Sequence, residues 1–298
     1  MFERFKRTIK CQLRRFEYHL SKRVNNIWFE KVRFRQETKK RLNYKNPVSF
    51  NEKLFWLNRY WQDPVKVQCS DKFLMREFVR EKGLSNLLNK FYGVWENADD
   101  IVFENLPDSF VLKCTHGCGF NIVVKNKDQI DQKKVKKQLS DWLLIDYGKL
   151  YNEFHYSKIK PRIICEKYLK EIDSDLIVDY KLHCLNGMPA FFLICREREN
   201  GKAKLSSYSL DWHRLPYLKN EDSITIPRPE CLNEIIQNSK LLSAEFPYVR
   251  LDYYIIDGVP FLGEFTFTPY ANTVSYYKDE VLLEIGKLLF LPELLHPR

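Results

Sequence analysis

No apolar run in this chain of 298 residues approaches the roughly 20 needed to cross a bilayer, which excludes a helical membrane span. The opening stretch MFERFKRTIKCQLRR has no uncharged core, so no secretory signal is expected. CxxC pairs are missing, as are internal repeats and low-complexity tracts. The eight cysteines, Cys11, Cys69, Cys114, Cys118, Cys165, Cys184, Cys195 and Cys231, are scattered, several in strand-like runs such as RIICEKYL and FFLICRE. Buried free thiols in a reducing cytosol account for that pattern, so a cytoplasmic protein is expected. Cys114-Thr-His116-Gly-Cys118 alone has metal-ligand spacing. Its glycines and the want of a second ligand pair favour a loop.

What is present is an ordinary globular composition, 44% apolar and 30% charged, in a chain long enough for one large or two modest domains. The net charge of +10 is unevenly spread. Met1 to Pro47 holds 15 Lys and Arg against 4 Asp and Glu, and the other 251 residues hold 34 against 35. A nucleic-acid binder would carry the charge on its folded body, so that class is set aside. Phe2, Phe5, Ile9, Leu13, Phe16, Leu20, Val24 and Ile27 recur every three or four residues, predicting an amphipathic helix with a basic face. Two uses stay open: packing on its own domain, or docking on an anionic membrane surface or a partner.

From Pro47 to Val94 the pattern predicts helices, one begun at Asn51 with Ser49 as cap and one begun at Ser70-Asp71-Lys72 and stopped at Gly83. Strands are predicted at Phe110 to Cys114 and Asn121 to Lys125, then a helix over 128–145 and a strand from Arg162 to Leu169. Further strands follow at Asp179 to Leu185, Ala190 to Arg196, Tyr248 to Ile256 and Pro260 to Phe267, with a helix from Glu230 to Glu245. Asp257-Gly258 reads as a tight hairpin turn. Helices bracketing antiparallel strands predict an α+β fold of two lobes.

The chemistry is concentrated in that last hairpin. Arg250 and Asp252 are two apart, so they share a strand face, and the turn returns Glu264 to about opposite Asp252. Two carboxylates and a guanidinium crowded into a strand-rich core would either hold Mg²⁺ beside a phosphoryl group or brace the hairpin as an ion pair. Lys113, followed by the Gly117 and Gly119 turn, is either a phosphate cradle or a snorkelling strand lysine.

Taken in order, Asp71-Lys72, FVLKCTHGCGFNIVV, RIICEKYL, DYKLHCLNGMP and VRLDYYIIDGVPFLGEFTFTP resemble the ATP-grasp superfamily, and its TupA-like branch in particular. The resemblance covers roughly residues 48 to 270. It implies two lobes clasping ATP, preceded by the basic amphipathic N-terminal helix. The divisions expected are 1–47, a helical part at 48–110, a small lobe at 111–175 and a large lobe with the metal site at 176–298.

By resemblance, Lys72 and Lys113 hold nucleotide phosphates under the loop from Gly117 to Gly119, and Lys181 joins that set. Glu166, Lys167 and Leu169 form the adenine-reading hinge. Asp252 and Glu264 ligate Mg²⁺, with Arg250 and Lys113 catalytic, and Arg196 and Arg198 take an acidic substrate. Glu264-Phe265-Thr266 replaces the common Glu-x-Asn, so the third metal ligand falls to Asn272 or to water. The resemblance implies a carboxylate–amine ligase working through an acyl phosphate, joining an amino acid to a uronic acid of a bacterial surface polysaccharide or its precursor. The alternatives are a glycosyltransferase and a nucleotide-binding scaffold. The basic segment would suit work at the inner face of the membrane.

Overall fold

The computed structural model describes residues 26–170, 178–199 and 202–293. Nearly all of the amphipathic helix expected from Phe2 to Ile27 lies outside them, and with it the membrane contact expected of that stretch. Among the described residues, no helix is long and apolar enough to cross a membrane.

Two antiparallel sheets organise the chain. The first has the order β1-β4-β2-β3 and is built from β1 (Phe91–Trp95), β2 (Phe110–Cys114), β3 (Asn121–Val124) and β4 (Ile163–Lys167). It begins upstream of the expected lobe boundary at 111, because Phe91–Trp95 is an extra strand paired with β4. The second runs β10-β9-β5-β6-β7-β8, from β5 (Asp179–Leu185), β6 (Met188–Glu199), β7 (Lys202–Tyr208), β8 (Arg214–Leu215), β9 (Tyr248–Ile256) and β10 (Val259–Thr266).

Eight α-helices are described: α1 (Asn26–Thr38), α2 (Phe50–Tyr60), α3 (Pro64–Ser70), α4 (Met75–Glu81), α5 (Gln132–Leu143), α6 (Tyr147–Tyr151), α7 (Leu232–Ser243) and α8 (Asp279–Leu288). α2 starts on a capping box: Glu52 N–H donates to the Ser49 hydroxyl, and the Glu52 carboxylate accepts from Ser49 N–H at 2.9 Å. The helix expected to begin at Ser70 begins instead at Met75, after a separate short helix that ends at Ser70. Asp71 lies between them and accepts from the N–H of Phe73 and Leu74, closing a turn before α4. The helix expected over 128–145 is shortened for a similar reason. Asp131 caps it at Lys134 N–H, so the preceding Lys127–Gln129 turn stays separate.

The six-stranded sheet explains where the chemistry sits. Side chains alternate, so Leu182, Ile194, Leu251, Tyr253 and Phe265 pack on one face beneath α4 and α7. The opposite face has two parts. At one end Leu185, Phe191, Leu193 and Tyr248 are covered by Phe50, Leu54 and Leu57 of α2 and by Val281, Leu282 and Ile285 of α8. Full burial of each such side chain contributes roughly 1.5–3 kcal/mol. At the other end the same face carries Lys181, Arg250, Asp252 and Glu264. The four-stranded sheet packs Phe110, Leu112, Cys114 and Cys165 on Val135 and Leu139 of α5, which turns Lys113 and Glu166 away from that core.

Candidate active site

The hairpin β9–β10 builds the charged patch. Asp257 and Gly258 both take positive φ, 51° and 79°, the geometry of a two-residue turn matched to strand twist. Strict pairing from that turn would put Gly263 opposite Asp252, but a bulge at Gly263 shifts the register by one. Leu262 faces Tyr253, and Glu264 faces Asp252. Glycine is required there, since a Cβ would lie 2.8 Å from the Tyr254 ring.

Within the patch the Arg250 guanidinium clasps Asp252 with Nε to Oδ1 at 2.6 Å and Nη2 to Oδ2 at 2.7 Å. Lys181, on the neighbouring strand and in register with Asp252, donates to Oδ2 at 2.6 Å and lies 3.3 Å from Asp179. Burial alone would raise the Asp252 carboxyl, but Arg250 and Lys181 hold it well below the usual carboxylate range. Glu264 is less enclosed. It accepts from the Thr266 hydroxyl at 3.2 Å and sits 4.0 Å from Arg250.

The floor under this group is His183, in register with Arg250. Its ring stacks on Phe191 at 4.5 Å, and its two nitrogens meet the hydroxyls of Tyr248 and Tyr277, each at 3.1 Å. Burial first, and Arg250 second, push the imidazole well below its ordinary value, so it is neutral.

The first sheet supplies a second group. Glu166 is buried and bridges two cations, Arg76 of α4 at 2.8 Å and Lys113 at 2.7 Å. Arg76 also donates to the Asn89 carbonyl at 2.7 Å and lies over the Phe91 ring. The Glu166 side chain thus orders Lys113, a role distinct from the hinge expected of it. Lys167 N–H donates to Lys90 O, and Asn89 donates to Lys167 O, so the Lys167 N–H is spent within the protein. Within the stretch Glu166 to Leu169, expected to read adenine through its backbone, the Lys167 backbone groups are thus paired internally.

The glycine loop lies between the two groups. Lys72 Nζ donates to Gly117 O at 2.5 Å, and Gly119 takes a positive φ of 78°. Gly117 packs against the Tyr147 ring, where a Cβ would approach to 2.7 Å. Cys118 is exposed at the loop tip, and desolvation pushes its thiol up to about 11, with Glu264 adding to the shift and Lys72 opposing it. Glu264 of the other sheet therefore lies near enough to the loop tip to act on Cys118 electrostatically. Cys114 is buried and His116 bonds the Trp142 carbonyl, so the loop's cysteines and histidine form no metal cluster. Among the described residues, no three His, Cys, Asp or Glu are grouped to hold a metal ion. Mg²⁺ needs only one or two protein carboxylates when phosphates complete its shell.

Arg196 falls elsewhere. It alternates with Phe192 and Ile194 on the sheet face opposite Arg250, and its Nε donates to Asp222 at 2.6 Å. That placement sets it apart from the face that carries Arg250, Asp252 and Lys181. The Arg198 side chain lies outside the described residues. Sequence reading missed Arg76 and His183, and it noted Thr266 only as part of Glu264-Phe265-Thr266. Arg76 looked like any polar position of a short helix, whereas Thr266 was visible as the alternate residue after Glu264.

A further polar set is buried. Glu153, 5% exposed, accepts from the Thr268 hydroxyl, and burial pushes its carboxyl up to about 7. Lys66, 1% exposed, has a 3.5 Å bond to Trp61 O, and burial lowers its ammonium to about 7 from the ordinary 10.5. The folded state therefore binds fewer protons than the unfolded chain between those values. The stability this contributes is full above the upper one and falls as pH drops toward the lower. Lys66→Met is expected to gain stability relative to wild type as pH falls from 10 to 7, read from urea midpoints across that range. Equal midpoint differences at both ends would contradict the assignment.

A model of the TupA-like ATPgrasp family matches residues 52–290. No curated protein matches the chain. Among solved structures, a D-alanine–D-alanine ligase from Bacillus anthracis is similar at 18% identity, over 67% of this chain and 57% of its own, with a TM-score of 0.40. One from Helicobacter pylori is 16% identical over 83% and 70%, with a TM-score of 0.44. An L-amino acid ligase from Bacillus licheniformis is 12% identical over 72% and 44%, with a TM-score of 0.43. The chain thus spans 57% of the length of the Bacillus anthracis ligase it resembles. Scores this low carry no argument about substrate.

Proposed function

The chain belongs to the TupA-like ATP-grasp family, with a two-lobed α+β fold, and from that premise we propose that it is an ATP-dependent, ADP-forming carboxylate–amine ligase. ATP and Mg²⁺ are the cofactors of this family. A substrate carboxylate oxygen attacks the γ-phosphorus of ATP, and the bond to the β-phosphate oxygen breaks, giving an acyl phosphate and ADP. The amine nitrogen of the second substrate then adds to the acyl carbon. Inorganic phosphate leaves, and the nitrogen loses a proton to give the amide.

Negative charge gathers around the transferred group in both steps, and the protein's contribution is to place fixed positive charge there. Arg250, held by two hydrogen bonds to Asp252, is aligned before substrate arrives. Lys113, ordered by Glu166, and Lys72, tied to the glycine loop, serve the nucleotide phosphates. Lys181 balances Asp252 from the other side.

Asp252 and Glu264 would hold Mg²⁺, which when bound neutralises phosphate charge. The donor set fits that ion: both are hard oxygen ligands, opposite one another in register, and Glu264 keeps lone pairs beyond its bond from Thr266. Asn272, expected as a further ligand, has a buried Oδ1 with no hydrogen-bond partner among the described residues. A resemblance to the TupA-like branch supports an amino acid and a uronic acid of a surface polysaccharide, or its lipid-linked precursor, as the joined substrates.

The observation that carries this reading is the register of Glu264 with Asp252, 4.0 Å from Arg250. The test is phosphate release from MgATP by the purified protein, with panels of uronic acids and amino acids. Release that needs both partners, with ¹⁸O passing from the carboxylate to phosphate, is expected. Sugar transfer from a nucleotide sugar without ATP would overturn the proposal.

A further inference from the structure

The segment 146–158 forms a compact knot between the two sheets. Asp146 caps α6 and accepts from the Ser157 hydroxyl at 2.6 Å, drawing the ends of the segment together. The helix stops at Asn152, whose φ of 62° reverses the chain, and Glu153 N–H then donates to Gly148 O at 2.9 Å. The fit requires glycine at 148, since a Cβ there would lie 2.3 Å from the Ser157 hydroxyl oxygen. Asn58 of α2 donates to Asn152 O at 2.7 Å and fixes the knot to the body.

This knot touches both halves of the nucleotide site. On one side Tyr147 lies under Gly117, with its ring edge-on to Phe120 at 5.6 Å and to Tyr156 at 5.1 Å. On the other side the Glu153 carboxylate accepts from Thr268, two residues beyond the strand that bears Glu264 and Thr266. The His155 ring packs near Phe267, at 6.3 Å between centroids. A carboxylate buried to this degree is costly where a neutral side chain would pack as well. Its one direct hydrogen-bonding side chain belongs to the segment leaving the metal-type strand.

We propose that Glu153 is a positioning residue, which through Thr268 holds the Glu264 end of β10 in register with the glycine loop resting on Tyr147. One side chain thus sets the spacing between the group that would hold the metal and the loop that would cover the phosphates. The proposal rests on the nucleotide-site reading above.

Its test compares Thr268→Val, Thr268→Ser, Glu153→Met and the Val/Met double variant in full-length protein, using a magnesium complex of a nonhydrolysable ATP analogue. Losing a hydrogen bond to a charged group predicts affinity weaker by about 10- to 100-fold for Thr268→Val. Thr268→Ser, which keeps the hydroxyl, should bind as wild type does. The double variant should be no weaker than Thr268→Val alone, since both changes remove one contact. Thermal midpoints are measured beside each affinity.

Thr268→Val binding the analogue as tightly as wild type would overturn the proposal, as would losses that simply add in the double variant. Should Thr268→Val fail to fold, Glu153→Met against Thr268→Ser carries the same comparison. Failure of the wild type itself to bind the analogue would overturn the nucleotide-site reading instead.

Discussion

Asp252→Asn is expected to lose activity by about 1,000-fold or more and to lower stability by about 3 kcal/mol, because one side chain serves both ends. Arg250 and Lys181 are 8% and 7% exposed, and both are neutralised by the same carboxylate. Asparagine keeps the shape but removes the charge, leaving Arg250 with only the Glu264 carboxylate at 4.0 Å and Lys181 with only that of Asp179 at 3.3 Å. Urea denaturation and MgATP-dependent phosphate release read the two losses separately. The Asp252 carboxyl titrates lower in the folded state than its ordinary 3.8, so its contribution to stability is complete above that value and is lost as pH falls below it. The stability gap between wild type and Asp252→Asn should therefore close in strong acid. A gap that widened there would place the stabilising charge elsewhere.

Glu264→Gln should separate the two effects. The Glu264 side chain is 30% exposed, and glutamine can still accept from the Thr266 hydroxyl. Stability should stay within about 0.5 kcal/mol of wild type, the range of ordinary surface changes. Phosphate release should fall by about 100- to 1,000-fold, the usual loss when one preorganised electrostatic contact is removed. The Mg²⁺ concentration needed for half-maximal rate should rise as well. A variant as unstable as Asp252→Asn but still active would mean that Glu264 braces the hairpin and holds no metal.

The contrast between these two carboxylates follows from features that sequence shows unequally. The pairing of Arg250, Asp252 and Glu264 was legible because a short hairpin leaves few registers, and Asp257-Gly258 marks its turn. The alternation of Leu182 with Lys181 and His183 likewise announces a sheet with one charged face. The bulge at Gly263, which settles the opposition of the two carboxylates, leaves only a lone glycine as its trace. Contacts between distant segments leave less. Glu166 reaches Arg76 across 90 positions, and Glu153 reaches Thr268 across 115, with no local period to connect them. The strand Phe91–Trp95 was missed because all five of its residues are half-buried, so it lacks the apolar contrast that strands usually show. The helix expected from Ser70 starts at Met75 instead, because the Asp71 side chain draws the N–H groups of Phe73 and Leu74 into a turn.

The imidazole beneath Arg250 has a consequence of a different sort. A neutral ring offers one donor and one acceptor, while each tyrosine hydroxyl can play either part. With the proton on Nδ1, Tyr248 must accept and Tyr277 must donate. With it on Nε2, both hydroxyls turn round together. The three groups thus share a single binary choice of proton orientation, sealed from solvent by the Phe191 stack and the helices above it. The His183 N–H can exchange with water only when this layer parts, so its magnetic resonance signal is an intrinsic clock for local opening under Arg250.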